Sequence, residues 1–560
     1  MSGSEASNFT VAERTQNLAL RLIRQGIEPA DAVRAGVVLS DLPSLAGAKI
    51  AAGPVGGGTP NWADFLGLTE GQKADLFQHS SYGLVFVRAA ERWFAVAFGL
   101  GHAKLDAAAI EQDFGLRVVL NAVDHRKLKS ADVRTPDANT LNRRSQASRG
   151  AERTVFEIDP ERDIVRGLLG EPKDKAFATR ISGSDSLSVR RKATVGDLPA
   201  ICARAFELYN EDAYKAEFGW IDHIRHVRDR GTLAKLEASL VDTMTGALVK
   251  NASEVDEVSL AFPAMYDPDK GGSVTFRGYG SRLVYPDLEV AHYLQGLKDK
   301  GKAAYTADML DSHFVQEVDE DGTSAGSSWK MRDCLVYETK LEGSTYTLSG
   351  GRWYKIDNAL AEEVEAYFDD VAKVELPEAA AGDNEKTYNA ALGAAGGDLL
   401  SLDVQLVKPS DASSPIEVCD FLSKGGALIH IKDKSESSKL SHLFNQGLVS
   451  SVVLKRDGKF RDAVRAKIAA QPGGAVFEDI IPAADQPFDT SKFTVVFAVL
   501  VNAAPGKDLK LPFFSLISFR HAARRIANEL GYGVAFAWIK KPGVGAGKKK
   551  AKAVAPGAPV

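Results

Sequence analysis

Residues 426–432 read GALIHIK, an apolar run of strand length that follows Lys424-Gly425 and closes on His430-x-Lys432. Such a run is a strand of buried type, and it folds only where flanking strands and helices keep water away from it. The residues after it, SSKLSHLFNQGLVSSVVL, begin a helix for which Ser437 or Ser438 is the candidate N-cap. Upstream, NEKTYNAALGAA has helical character, and LLSLDVQLV and PIEVCDFL read as strands separated by the turn-rich KPSDASS. Downstream come a strand FTVVFAVLV, a helix SFRHAARRIANELG and a strand YGVAFAWI. The predicted order over residues 377–541 is therefore α-β-β-β-α-β-α-β.

Polar residues recur at fixed places on this frame. Residues i and i+2 of a strand share a face, so His430 and Lys432 are expected to point together while Ile429 and Ile431 enter the core. On the following helix, Lys439, His442 and Gln446 fall on one side, and Leu440, Leu443 and Phe444 on another. Glu385 lies on the first helix and Asp420 on the second strand; Glu417, three residues earlier, faces the other way unless the strand bulges.

The order of elements and these residues resemble the PD-(D/E)XK superfamily, the restriction-endonuclease-like fold. That resemblance implies phosphodiester hydrolysis with Mg2+ or Mn2+, which needs a cation to polarise the phosphate, an activated water and a positive charge facing the developing anion. It implies that Asp420 and Glu385 hold the metal, that Lys432 stabilises the pentavalent phosphate, and that Gln446 positions substrate. His430 stands where the pattern has its second acid, and magnesium prefers carboxylate oxygen to imidazole. Three readings stay open. Glu417 supplies the missing carboxylate; His430 ligates manganese or acts as general base; or the domain keeps the shape without cleavage.

A second resemblance spans nearly the whole chain. FGLRVVLNAVDHRKLKSADVRTPDANTLNRRSQASR, FGWIDHIRHVRD, EKTYNAAL, EVCDFL, LIHIKDKSESSKLSHLFNQG and LPFFSLISFRHAARRI, in that order, are similar to the sporadically distributed bacterial family DUF6119. That family carries no established activity. Its patchy distribution, with the nuclease-like domain, implies a part in defence against phage or mobile elements, by association rather than by physics.

The rest of the chain sets boundaries. At 560 residues it is too long for one ordinary core. We expect an α+β multidomain protein: an α/β segment over 1–80, a mixed α+β region with hairpins over 81–376 whose two subdomains meet near 175, the nuclease-like α/β domain over 377–541, and a disordered basic tail over 542–560. In the first segment NLALRLIRQG reads as a possible helix. The glycine-rich AAGPVGGGTP reads as a flexible loop, since it lacks the Gly-Lys-Ser/Thr ending of a phosphate-binding loop. YGLVFVRAAERWFAVAFGLG alternates like a hairpin. FGWIDHIRHVRDRG puts His223 and His226 at helical i, i+3 spacing with no third ligand nearby, which favours a helical face over a metal site. The linker ELPEAAAGDNE places the last cut near Pro377.

With 69 Lys and Arg against 74 Asp and Glu, the net charge of −5 gives no global field for phosphate, so a nucleic-acid surface must be a patch. The candidate is RTPDANTLNRRSQASRGAER, where Arg143, Arg144 and Arg149 sit among hydroxyl and amide side chains; Lys439 and His442 are further candidates. Three scattered cysteines and the lack of an apolar run of about 18 residues favour a cytoplasmic protein that does not cross a membrane. The expected partner is nucleic acid, DNA and RNA being equally open, with a homo-oligomer or an operon-encoded protein as further possibilities. A metal-dependent nuclease-like effector is the leading reading. A binding or sensing protein with a degenerate site, and an interaction component of a defence operon, are the others.

Overall fold

The computed structural model describes residues 14–136, 140–249, 258–263, 273–280, 283–319, 322–412, 414–433, 438–503 and 509–542. The predicted basic tail, all but its first residue, and the N-cap candidate Ser437 lie outside them. The fold is mixed α/β with several sheets, in two compact units: residues 1–135 with 142–222, and residues 136–141 with 223–560. The divisions anticipated near 80 and 175 both fall inside the first unit.

That unit holds one ten-stranded sheet. Its strands are β1 (Arg14–Leu22), β2 (Ser40–Asp41), β3 (Lys49–Gly58), β4 (Gln78–Ala89), β5 (Arg92–Gly99), β6 (Val123–Thr135), β7 (Leu141–Ala151), β8 (Ile164–Pro172), β9 (Arg180–Gly183) and β10 (Leu187–Ala193). They lie in the order β2-β3-β4-β5-β1-β10-β9-β8-β6-β7. One face is buried by helices α1 (Phe114–Ala122) and α2 (Leu198–Asn210), against Leu18, Leu20, Val85, Phe94, Ile181 and Val189.

Two expectations change here. NLALRLIRQG begins as strand β1, because Leu18, Leu20 and Leu22 are buried and alternate with Asn17, Ala19 and Arg21, a period of two rather than 3.6. The glycine-rich stretch is not a loop but strand β3, paired with β4 and bulged between Val55 and Gly57. Its glycines make room for aromatic neighbours: a Cβ on Gly57 would meet the Phe77 ring at 2.4 Å, and one on Gly53 would meet Tyr82 at 3.2 Å. The predicted hairpin is present as β4 and β5. Its two-residue turn uses Ala90 and Glu91, at φ 47° and 58°, where glycine or asparagine is usual.

The second unit contains three main sheets. A five-stranded sheet joins Ile224–His226, Val258–Leu260, Leu335–Leu341, Ser344–Ser349 and Arg352–Ile356; a four-stranded sheet joins Ser273–Arg277, Val284–Tyr285, Phe314–Val318 and Ser324–Lys330. The expected His223/His226 helix is instead a single tight turn, Gly219–His223, followed by a strand in which the His226 ring meets Tyr354 edge-on.

The third sheet carries the candidate site. Its strands are β11 (Ala372–Lys373), β12 (Leu399–Ser401), β13 (Phe421–Ser423), β14 (Ala427–Asp433), β15 (Thr494–Ala503) and β16 (Gly533–Pro542), in the order β11-β16-β15-β14-β13-β12. Strands β12, β13 and β14 are antiparallel in succession, whereas β14, β15 and β16 run parallel. Helix α4 (Glu385–Ala395) covers one face through Tyr388 and Leu392, against Ile429, Ile431, Val496 and Ala498. Helices α3 (Asn358–Asp370), α5 (Ser438–Arg456) and α6 (Phe513–Arg524) supply aromatic rings at the other. There Phe519 touches Phe368, Phe444, Phe497 and Phe536, with ring centroids 5.3–5.9 Å apart.

The cut at Pro377 therefore moves. Helix α3 precedes it yet packs on this sheet, and β11 pairs with β16. The linker itself is fastened to the same edge strand, with Val374 N–H bonded to Phe536 O at 2.9 Å and Ala379 N–H to Lys540 O at 3.0 Å. Because Phe519 is fully buried at the centre of four rings, Phe519→Ala should destabilise this unit by about 3–5 kcal/mol. Chemical denaturation followed by tryptophan fluorescence checks this; an unchanged midpoint would show that the cluster is not load-sharing.

Candidate functional site

The site begins where two strands part. Strands β13 and β14 pair through Phe421 with Ile429 and Leu422 with Leu428, and Asp420 N–H still bonds Ile429 O at 2.9 Å. Beyond that point backbone no longer meets backbone. The Asp420 carboxylate takes over, its Oδ2 accepting from Ile431 N–H at 2.7 Å. Asn389 of α4 donates its Nδ2 to Asp420 Oδ1 at 3.2 Å, while Asn389 Oδ1 is buried with no hydrogen-bond partner.

Two further acids meet Asp420. Carboxylate oxygens of Asp403, Glu417 and Asp420 all lie within 4.8 Å of one another. Glu417 reaches the group because the chain is not one continuous strand. Ile416–Glu417 pairs with Leu406–Val407, and irregular backbone intervenes before β13, so the period-two rule that would have turned Glu417 away does not apply. Asp403 arrives through a sharp turn in which Val404 adopts φ 62°. A β-branched residue in that region costs about 1–3 kcal/mol. Val404 N–H also binds Glu417 Oε1 at 2.6 Å, so the turn holds two of the acids together.

Lys432 faces the acids. Its Nζ pairs with the Glu385 carboxylate, and the two side chains are 14% and 26% exposed. Burial alone would lower the Lys432 pKa, but the bond and charge of Glu385, with the charges of Asp420 and Glu417, hold it above its usual value. Asp420 is the opposite case. Burial, aided by the neighbouring charges of Glu417 and Asp403 and resisted by the Ile431 N–H and Lys432, lifts its pKa to about 8. Burial raises Glu417 as well. A group of three carboxylates at this spacing retains a proton near neutrality.

The other sequence candidates lie elsewhere. His430 is outside the acid group and 3% exposed, its ring beside Phe497 and its Nε2 3.4 Å from Ser450 Oγ. Burial, with the positive Lys432 nearby, drops its pKa to about 3. His430 and Lys432 thus do not act as a pair: the rigid ring stays on the α5 face, while the longer lysine stem reaches Glu385 on α4. His442 and Gln446 sit on α5, exposed and half-buried, with no hydrogen bond to the acids among the described residues. The Lys439 side chain lies outside the described residues. Of the arginines, Arg143 binds Asp163 at 2.6 Å and Glu157 O at 3.1 Å, and Arg144 grips Asp132 in two bonds of 2.5 and 2.8 Å. Arg149 is exposed.

Asp403 and Asn389 were missed from sequence. Asn389 had a signal, being four residues after Glu385 and so on the same helix face. The donor set suits a hard cation: three carboxylates and the orphaned Asn389 oxygen offer only oxygen ligands, as Mg2+ and Mn2+ prefer.

Among the described residues no helix is long and apolar enough to cross a membrane. A model of DUF6119, a family of unknown function, matches residues 18–540. No curated protein and no solved structure matches.

The buried proton has a sign that can be measured. The unfolded Asp420 ionises near 3.8 and the folded one near 8, so the folded state holds the extra proton between them and stability falls as pH rises through that window. Without divalent metal, Asp420→Asn should be the more stable protein at pH 8.5, by on the order of a few kcal/mol, and should lose that advantage toward pH 4. Urea midpoints at several pH values test it; a pH-independent difference would mean that Asp420 is ionised throughout.

Proposed function

The chain belongs to the DUF6119 family, and from the acid group at the parting of β13 and β14 we propose that it is a divalent-metal-dependent nuclease-like protein acting on phosphodiesters. The observation that carries the reading is the convergence of Asp403, Glu417 and Asp420 beside the Lys432–Glu385 pair. The strand order supports it. The succession β12-β13-β14-β15-β16, with β13 antiparallel to its neighbours and α4 and α5 on opposite faces, is the arrangement a PD-(D/E)XK domain would have.

Asp420 and Glu417 would hold Mg2+ or Mn2+, with Asp403 beside them, and Glu417 rather than His430 takes the place of the second acid. The cation, when bound, supplies Lewis-acid polarisation of a phosphate and lowers the pKa of a bound water. The chain's own residues do the rest. Lys432, kept charged by its acidic neighbours, faces the oxygens on which negative charge grows. Glu385 orients the ammonium group. Asn389 fixes the Asp420 carboxylate by its Nδ2 bond. His430 buttresses β14 against α5 and takes no part in proton transfer, since a ring with its pKa near 3 stays neutral at working pH. Such a protein would act in bacterial defence against phage or mobile elements.

Purified protein incubated with plasmid, linear duplex, single-stranded DNA or RNA and Mg2+ or Mn2+ tests the assignment. Lys432→Ala and Glu417→Gln should each lower cleavage by at least about 100-fold, and His430→Asn should cut at a rate close to wild type wherever it folds. Undiminished cleavage by both of the first two variants would sink the reading. Loss of cleavage confined to a well-folded His430→Asn would restore histidine to the centre.

A further inference from the structure

The face of the ten-stranded sheet opposite α1 and α2 carries a polar row. Ser188 is directly opposite Ser182, Ser182 opposite Leu169, and Leu169 opposite Ser130, so three hydroxyls and one leucine run across β10, β9, β8 and β6 on one side. They line a groove of about 300 Å3 that Gln146 and Arg144 close at the β7 side. One step along the same face stand Arg190 and Arg180, again directly opposite each other.

This second pair is unusual. Like charges opposite each other in a sheet repel and destabilise it. Both guanidinium groups are exposed, and among the described residues neither makes a side-chain hydrogen bond or ion pair. Lys192, two residues beyond Arg190 and on the same face, is exposed as well. The carboxylates that flank the row are already engaged: Asp132 by Arg144, and Glu171 by Lys175 at 3.2 Å and Lys129 at 3.5 Å. What remains is a local cationic strip beside a bank of hydroxyl donors, in a chain whose net charge is −5.

We infer that this face binds a single strand of nucleic acid by its phosphates, with Arg180 and Arg190 on phosphate oxygens and the Ser182 hydroxyl donating to the same or the next phosphate, while the Ser188 hydroxyl is held by Asn17 Oδ1 at 2.8 Å. Serine and arginine are the usual partners of phosphate oxygen. The lining holds no aromatic ring, so the contact reads the backbone and not the bases. The inference rests on the nucleic-acid reading above, but places recognition on residues distinct from Arg143 and Arg144, whose guanidinium groups are held by Asp163 and Asp132.

The test is fluorescence anisotropy of the full chain with a labelled 15-nucleotide oligothymidylate in EDTA, over a range of salt. Arg180→Glu with Arg190→Glu should weaken binding at least about 30-fold and reduce the slope of log K against log salt by about 1.4, two phosphate contacts at about 0.7 each on a single strand. Lys49→Ala, on β3 toward the other end of the same sheet and paired with Asp41, should bind within about twofold of wild type. Should the charge reversal disturb folding, as judged by circular dichroism, Arg180→Gln with Arg190→Gln replaces it, with about a tenfold loss expected. Wild-type binding by either double variant, or no binding by the wild type, overturns the inference. Equal displacement by polyglutamate also overturns it, in favour of an acidic protein partner. Binding that depends on Arg180 and Arg190 without cleavage under any metal condition would instead refute the nuclease reading and leave this face standing.

Discussion

The hydrogen bond from Ile431 N–H to the buried Asp420 carboxylate is the contact on which the candidate site depends. Where β13 leaves β14, the backbone of an otherwise enclosed strand would present an unpaired donor, and burying such a donor costs about 1–3 kcal/mol. A side-chain carboxylate satisfies it, and in doing so is drawn into the low-dielectric edge of the sheet. Everything nearby answers that placement. Asn389 holds one oxygen, Lys432 brings opposite charge and is itself held by Glu385, and Asp403 and Glu417 approach through the gap that the departing strand leaves. The opening in the sheet and the acid group are therefore one feature seen from two sides.

Much of this frame was legible. The main strands of the C-terminal part followed from apolar runs, and three of its helices from periodicity, whereas the helix Gly458–Ala469 was not anticipated; Glu385, Asp420 and Lys432 were named from their places on that order. What the sequence hid depends on backbone detail. LLSLDVQLV reads as one strand, but the chain breaks it into Leu399–Ser401 and Leu406–Val407 around Val404, a residue that a sequence reader would place last in a left-handed turn. Asp403 and Glu417 reach the site only because of that break. His430 misled for the opposite reason: the period of two correctly put it on the same side of the strand as the root of Lys432, yet a lysine stem bends round a strand edge and an imidazole ring does not.

The first unit shows the same limits. Period-two alternation in NLALRL was present, but lay inside a segment whose leucines also suit a helix. The glycine stretch looked like a loop because its composition is loop-like; the rings of Phe77 and Tyr82, which fill the space the missing side chains leave, are far enough along the chain to be invisible to local reading. Arginines 143 and 144 stood out as a cluster, and the acids that neutralise them come from elsewhere in the chain, Asp132 from β6 and Asp163 from the residue before β8. Charge clusters in sequence locate cations; only the strand register says which are already occupied.

A proton retained by three crowded carboxylates also explains why such a group can persist in a folded chain. With all three ionised, their mutual repulsion at low dielectric would exceed what one lysine, itself shared with Glu385, can offset. Holding a proton on Asp420 removes one charge and keeps the edge of the sheet closed. On the reading proposed above, Asp403, Glu417 and Asp420 would lose that proton on taking a divalent cation, because a carboxylate ligand must be deprotonated. The left-handed Val404, the raised pKa of Asp420 and the unpartnered oxygen of Asn389 are each unfavourable taken alone, and all three lie on the segments that bring the acids together.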